Sequence, residues 1–465
     1  MPTDHPTVFV LFGATGDLAQ RMVLPAFYQL HQHGLLPEKW LIVGNGRGDV
    51  SHEDFQQHFH DSLAEFGPRP AKDWKQFAAH LRFAGGGFEK SDPGSLLDVL
   101  EEAKREVGAD AQFIHYLAVP PSAFEGITEA LGEHGLAKGS RVIYEKPFGT
   151  SPENFRELDA AVHAVLDEHQ VFRIDHFLGK EASQDLHTLR FANGLFAGVW
   201  SAKHIRAVQI DVPETLDIAD RAEFYDATGA LLDMIVTHLF QLAAEIAMEP
   251  PASMDADDVQ AARETVIAAF RPLSPDEVVL GQFDGYTETE GIDPHSRQDT
   301  FVAARLWIDT PRWEGVPFLL RTGKQLKESH QVVSIVFRAP DDGPLTDVPP
   351  VGNVLTLDLM GGGGIRLSMI VKQPGADFEL AEATVDLPLA HVVDADPLPP
   401  YVKLISDVIE GDRSLFTRPD GLASAWAAIS PILDAPPAVR PYARGSWGPD
   451  GAQGLAKPDG WLLGG

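Results

Sequence analysis

Short apolar runs alternate with amphipathic stretches through the first part of the chain. Thr7 to Phe12 is continuous and β-rich, Gly13 to Gly16 breaks it, and an amphipathic stretch follows from Leu18 to about His33. Leu41 to Gly44, Phe113 to Pro120, Arg141 to Tyr144 and Val171 to Ile174 read as further buried strands. Helical segments such as Gly94 to Glu106 and Pro152 to Glu168 lie between them. Strand and helix in alternation predict right-handed crossovers and a parallel sheet covered on both faces.

From about Phe191 the rhythm changes. Val199 to Val212, Phe301 to Asp309, Phe318 to Thr322, Val332 to Phe337, Asn353 to Leu359 and Gly364 to Val371 read as strands separated mostly by turns. That pattern predicts an antiparallel sheet of α+β type. Helical patterns at Ala227 to Met248, Leu398 to Ile409 and about Gly421 to Ile432 accompany it. Gly281 to Gln298 and the Pro-rich Ala339 to Gly352 read as exposed loops. The expected organisation is an α/β domain over residues 1–178 and an α+β domain with a large, mostly antiparallel sheet over residues 179–465.

Composition narrows the function classes. A chain of 465 residues accommodates two or three domains, and 44% hydrophobic with 23% charged residues is ordinary for a globular protein. No stretch approaches the ~18 unbroken apolar residues of a membrane span. Met1 to Thr7 carries neither the basic nor the apolar part of a secretory signal. Cysteine is absent, which excludes disulfides, thiolate metal sites and thiol nucleophiles and fits a reducing cytoplasm. A net charge of −31 argues against nucleic acid or a membrane surface as partner. Any anionic ligand must be met by a local concentration of the 37 Lys and Arg residues.

Four segments carry candidate chemistry. The first strand runs into Gly13-Ala14-Thr15-Gly16-Asp17-Leu18, where two glycines three apart allow a tight turn and a phosphate close to bare N–H groups at a helix start. An ordinary βα turn shares that spacing; what favours a dinucleotide is the turn's place after the first strand of an alternating region. The second strand ends in Asn45-Gly46-Arg47, a base where an NAD enzyme usually carries an acid, which suits a ribose 2′-phosphate and hence NADP. A solvated loop arginine is the alternative. Lys146, in Glu145-Lys146-Pro147-Phe148-Gly149, follows another strand at the carboxyl edge where open α/β sheets bind ligands. Pro147 would fix its approach, a cis bond being one option, and a strand-end turn with a solvated Lys is the plainer reading. Arg173-Ile174-Asp175-His176-Phe177-Leu178-Gly179-Lys180-Glu181 closes a further strand. His and Lys there suit a phosphate dianion and Asp suits an imidazolium located elsewhere, unless the segment is simply a polar loop.

Together, Gly13 to Ala19, Glu145 to Gly149 and Arg173 to Glu181 resemble the glycine loop, the EKPFG segment and the RIDH(Y)LGKE signature of the glucose-6-phosphate dehydrogenase family. The resemblance runs along almost the entire chain. Tyr225 to Ile235 followed by His238 looks like the family's catalytic helix, and Gly315 to Phe318 through Arg321 to Lys324 looks like its second-domain lysine segment. Gly445-Ser446-Trp447-Gly448-Pro449 is similar to its C-terminal pattern. The resemblance implies a Rossmann-like NADP-binding domain and the oxidation of glucose 6-phosphate at carbon 1 by NADP, which opens the oxidative pentose phosphate pathway. Carried over residue by residue, His238 would be the general base and Asp175 its carboxylate partner. His176, Lys180 and Lys324 would surround the substrate phosphate, and Lys146, Glu214 and Asp233 would hold sugar hydroxyls. Gly13, Ala14, Thr15, Gly16, Asp17, Leu18 and Arg47 would take the dinucleotide, with Lys146 also near it. No metal is implied, and an exposed antiparallel sheet leads to the expectation of a homodimer or homotetramer.

Elementary chemistry agrees with these roles. Hydride loss from carbon 1 is easier as the hydroxyl proton leaves, which needs a neutral His whose basicity a buried Asp raises. Without the resemblance, His238 reads as a core histidine, because it shares a helical stripe with Leu231, Met234, Ile235 and Leu242. The chain also departs from the family pattern. Phe177 stands for the common Tyr, Val236-Thr237 for Gln-Asn, and Ser201-Ala202 for an Asn-Arg pair after Trp200. Gln20-Arg21-Met22 lacks one Lys, and Ser329 occupies a commonly basic position that Lys327 would have to serve. These changes leave open a dehydrogenase of the same fold acting on another sugar or sugar phosphate. A catalytically silent paralogue is opposed by the joint retention of His238, Asp175, Lys180 and Lys146.

Overall fold

The computed structural model describes residues 5–464 except 219–220, 341–343, 346–347, 349–351, 393 and 395. Most of the Pro-rich segment Ala339–Gly352 therefore lies outside the described residues. The chain forms two compact units. One holds residues 1–179, 255–260 and 398–419, and the other holds 180–254, 261–397 and 420–465.

In the first unit the continuous apolar runs become buried strands: β1 Thr7–Phe12, β2 Trp40–Asn45, β3 Leu81–Ala84, β4 Gln112–Leu117, β5 Arg141–Tyr144 and β6 Val171–Ile174. Their order is β6-β5-β4-β1-β2-β3, all parallel, with the short strand Phe416–Thr417 antiparallel beyond β6. Because β1 pairs with both β2 and β4, the chain reverses its direction of travel across the sheet beside β1. Open α/β sheets bind ligands at that switch point, outside the carboxyl ends of the strands. The helix Pro400–Glu410 also belongs to this unit: Val402, Leu404, Ile405 and Val408 join the core built around Phe9, Phe27 and Tyr28. Arg141 donates to the carbonyls of Val408 and Ile409 at that helix's C-terminal end (2.5 and 2.7 Å), where a cation is favoured.

The second unit is built on β7 Ile205–Pro213, β8 Val278–Phe283, β9 Phe301–Leu306, β10 Phe318–Gly323, β11 Val332–Phe337, β12 Val354–Asp358, β13 Gly364–Lys372 and β14 Leu380–Pro388. The order is β14-β13-β12-β11-β7-β10-β9-β8, continued by the short strand Arg440–Tyr442. Most pairs are antiparallel, as expected, but β7 runs parallel to β10 and Arg440–Tyr442 runs parallel to β8. Two expectations need correction. The strand expected from Val199 begins only at Ile205, since Trp200 is anchored by its indole N–H to the Ile246 carbonyl at 2.8 Å. The loop expected from Gly281 begins later, because Gly281 lies inside β8. A Cβ on Gly281 would stand 2.8 Å from Pro449 and 3.0 Å from Tyr442, so the glycine marks close packing rather than a turn.

The expected helix over 227–248 is observed from Ala222 to Ala230, then winds as a π-helix over Leu231–Leu239 and ends as Phe240–Ala247. It is long and apolar enough to cross a membrane, yet 89% of its apolar window is buried inside the protein, so it is a core helix. An ionic cluster pins its end. Buried Glu245 accepts from Arg263 at 2.8 Å and pairs with His187, while Arg190 donates to the Glu245 carbonyl at 2.7 Å. Burial pushes the Glu245 carboxyl up, but His187 and Arg263 outweigh it and hold the group at about 2.

Candidate active site

Gly13 leaves β1 with φ +75, and a Cβ there would lie 2.4 Å from the Ala118 carbonyl oxygen, so only glycine lets the turn pass this close to the end of β4. The N–H groups of Gly13 and Ala14 both donate to the Asn45 carbonyl (3.0 and 3.2 Å), tying the loop to the end of β2. Asn45 is itself buried and donates through Nδ2 to Ala84 and Gly87 (3.0 and 3.1 Å). The loop thereby opens onto a cavity of about 830 Å³ at the switch point, lined in part by Gly13, Thr15, Gly16, Arg47 and Lys90. Arg47 is exposed at its rim. Of the other loop residues assigned to the dinucleotide, Ala14 is buried, Leu18 packs against the core, and the exposed Asp17 pairs with Arg21 at 2.5 Å. Lys90, paired with Glu129 at 3.6 Å, is a second cation of this cavity that no sequence motif singles out.

The ends of β5 and β6 place the next group. Glu145 is buried and accepts the Tyr116 hydroxyl at 2.6 Å and the Tyr401 side chain. Burial raises its carboxyl above the ordinary value, against the pull of Tyr116 and Lys146. Lys146 follows it, half-buried, and the Lys146–Pro147 bond is cis. After β6, Asp175 is buried and its Oδ1 accepts the Phe177 N–H at 2.9 Å, which sets the carboxylate's orientation. His176 is partly exposed, its ring stacked on Tyr401 at 6.3 Å and 17°. Arg173, opening the signature segment, is structural: it binds Glu168 at 3.0 and 2.9 Å and Asp159 at 3.1 Å, with its guanidinium over Phe148. Glu145 and Tyr401, which tie these segments together, are the residues that sequence reasoning missed; only Glu145 lay inside a motif.

The second unit holds the remaining candidates. At its helix kink Gly229 adopts φ 65 and ψ 176. The Ala230 and Leu231 N–H groups then donate to the Asp299 carbonyl (3.0 Å) and Oδ2 (2.8 Å). Burial pushes the Asp299 carboxyl up to about 6 despite those bonds. The helix restarted in this way carries Asp233 and His238, both buried and both on the π-wound stretch, a feature often found at functional sites.

Glu214 and Lys324 meet because β7 and β10 are parallel neighbours, with Pro213 opposite Gly323. Both residues emerge at the same carboxyl edge, where their side chains form an ion pair and the Glu214 N–H donates to the Gly323 carbonyl at 2.9 Å. Lys180 reaches the same edge: its ammonium binds the Gln331 side chain and the Leu359 carbonyl (3.2 Å), which flank β11 and β12. Ser329 accepts the Thr215 N–H at 2.8 Å and bonds the Thr215 hydroxyl at 2.9 Å, so it braces the residue after Glu214. Lys327 is exposed.

Comparison with known proteins points one way. Family models for the NAD binding domain and the C-terminal domain of glucose-6-phosphate dehydrogenase match residues 10–185 and 187–462. Glucose-6-phosphate 1-dehydrogenase 2 of Mycobacterium bovis is 37% identical, over 96% of this chain and 92% of its own. Glucose-6-phosphate 1-dehydrogenase of Aggregatibacter actinomycetemcomitans is 34% identical, over 97% of this chain and 96% of its own. A solved glucose-6-phosphate dehydrogenase in complex with its substrate glucose-6-phosphate matches at TM-score 0.92 and 31% identity, covering 100% of both chains.

Proposed function

The chain belongs to the glucose-6-phosphate dehydrogenase family, and on that premise we propose that it oxidises glucose 6-phosphate at carbon 1 with NADP as cofactor, His238 acting as general base and Asp175 as its carboxylate partner. The product is 6-phosphogluconolactone, and the reaction belongs to the oxidative pentose phosphate pathway. The observation that carries the residue assignment is His238, wholly buried in the core helix five residues after buried Asp233.

NADP, when bound, supplies the acceptor for the hydride leaving carbon 1. The cavity at the switch point fits such a group: Gly13, Thr15 and Gly16 offer a loop free of large side chains, and Arg47 stands where a 2′-phosphate needs a cation. In this reading Lys146 lies near both the cofactor and the sugar. His238 takes the proton of the carbon 1 hydroxyl away from bulk water, and Asp175 stabilises the imidazolium so formed. His176, Lys180 and Lys324 donate to the substrate phosphate, while Glu214 and Asp233 accept from sugar hydroxyls. Residues 1–178, joined by residues 255–260 and 398–419, serve as the NADP-binding domain, and the rest of 179–465 as the substrate-binding and oligomerisation domain. The β13–β14 hairpin exposes Val371, Val385 and Leu387 (38, 56 and 49%), which supports a homodimer or homotetramer built on that sheet. The cysteine-free composition is compatible with the cytoplasm, the compartment assigned here.

The test is NADPH formation over a panel of sugars and sugar phosphates with both nicotinamide cofactors. Glucose 6-phosphate with NADP should give the highest kcat/KM. His238→Ala should lower turnover at least ~10²-fold without loss of folding, and near-wild-type turnover would overturn the base assignment. A clear preference for another sugar phosphate would favour the same fold with a different substrate.

A further inference from the structure

Tyr225 lies on the helix segment Ala222–Ala230, next to Asp226, whose carboxylate accepts the Tyr286 hydroxyl at 2.9 Å and the Ser296 hydroxyl. Asp226 anchors the segment on one side, and Tyr225 is turned inward, 3% exposed. The Tyr225 hydroxyl is buried and makes no hydrogen bond among the described residues. Nearby Tyr442 is the contrast: its hydroxyl donates to the Lys324 carbonyl at 2.7 Å and also bonds Thr300. A buried hydroxyl without a partner forfeits its hydration, and native proteins rarely leave one so.

The surroundings indicate what the partner is. The Lys324 ammonium lies 5.7 Å from the centroid of the Tyr225 ring. Burial, then the charges of Asp233, Asp299 and Glu214, hold the phenol well above its ordinary value, so it stays neutral and able both to donate and to accept. Lys324, Asp233 and Glu214 are the residues assigned above to the phosphate and the sugar hydroxyls. A neutral donor–acceptor among carboxylates and an ammonium matches a polyol, whose hydroxyls need partners of both kinds.

We propose that Tyr225 is a further substrate-binding residue, its hydroxyl completing the set by hydrogen-bonding a ring hydroxyl of the sugar. The assignment rests on the proposed function and adds to it a residue of the catalytic-helix segment to which the family resemblance assigned no role. Tyr225→Phe removes one oxygen and keeps the ring beneath Lys324. The KM for glucose 6-phosphate should rise about 2- to 10-fold, the range for one neutral hydrogen bond, while kcat and the KM for NADP stay within about twofold. Thermal stability should be unchanged or higher. Among monodeoxy analogues of glucose 6-phosphate, one should give the same KM with both proteins, which identifies the partner hydroxyl.

An unchanged KM, a lowered melting temperature with unchanged KM, or an equal penalty on every deoxy analogue would each overturn the assignment. Failure of the wild type to reduce NADP with glucose 6-phosphate would instead overturn the functional reading beneath it. An active wild type with an indifferent variant would remove Tyr225 alone.

Discussion

Replacing Gly229 by alanine is expected to disable the enzyme through geometry alone. At φ 65 and ψ 176 this residue occupies backbone space that is nearly exclusive to glycine, and a side chain there costs about 1–3 kcal/mol. The added Cβ would stand 1.9 Å from Gln298 Nε2, 2.7 Å from Asp299 Oδ1 and 3.0 Å from the Asp299 carbonyl oxygen. The Gln298 amide can swing away. Asp299 cannot, because its carbonyl and carboxylate hold the Ala230 and Leu231 N–H groups. Losing one neutral and one charge-assisted hydrogen bond adds about 2–4 kcal/mol, for a total of about 3–7 kcal/mol. Domains are typically stable by only about 5–15 kcal/mol, so the loss is severe. The same shift displaces the segment carrying Asp233 and His238, and about 1 Å of misplacement suffices for a ~10²-fold loss of turnover. Gly315→Ala is the matched control: φ is +72 but nothing lies within 4 Å of its Cβ position, so only about 1 kcal/mol of strain is expected. Thermal and urea unfolding of both variants, with kcat, decide the matter. A Gly229→Ala protein as stable as the Gly315→Ala control, or fully active, would refute the reasoning.

Three further outcomes are expected. Arg47→Ala should weaken NADP about 10- to 100-fold more than NAD in steady-state kinetics, the scale of a charged hydrogen bond, and equal weakening would place the 2′-phosphate elsewhere. Because burial lifts Asp299 to about 6 from 3.8, the folded state keeps a proton that the unfolded state releases in that window, so stability should fall as pH rises through it. Asp299→Asn, which still offers an acceptor to Leu231, should flatten that decline, and identical melting-temperature profiles for the two proteins would count against it. Phe177→Tyr, at a buried position, should lower the KM for glucose 6-phosphate several-fold without affecting glucose if the ring faces the phosphate. A lowered melting temperature with unchanged KM would show that the ring packs away from it.

Local chemistry was legible in the chain itself. The strands Thr7–Phe12, Arg141–Tyr144, Val171–Ile174 and Val332–Phe337 have the bounds their apolar runs predict, because a buried strand is specified by its own few residues and the turns beside it. Gly13, Lys146, Asp175 and His176 could be placed at strand ends for the same reason. What joins distant segments could not be read this way. Glu214 meets Lys324 across 110 residues because two strands of a mostly antiparallel sheet run parallel, and no periodicity encodes that pairing. Asp299 holds the restarted helix from 68 residues away, and the helix Pro400–Glu410 brings Tyr401 onto His176 and Glu145. Each of these depends on which surfaces pack together. Propensity and turn signals act over a few residues, whereas sheet order and helix docking follow from how the whole chain buries its apolar surface, so only the tertiary structure decided them.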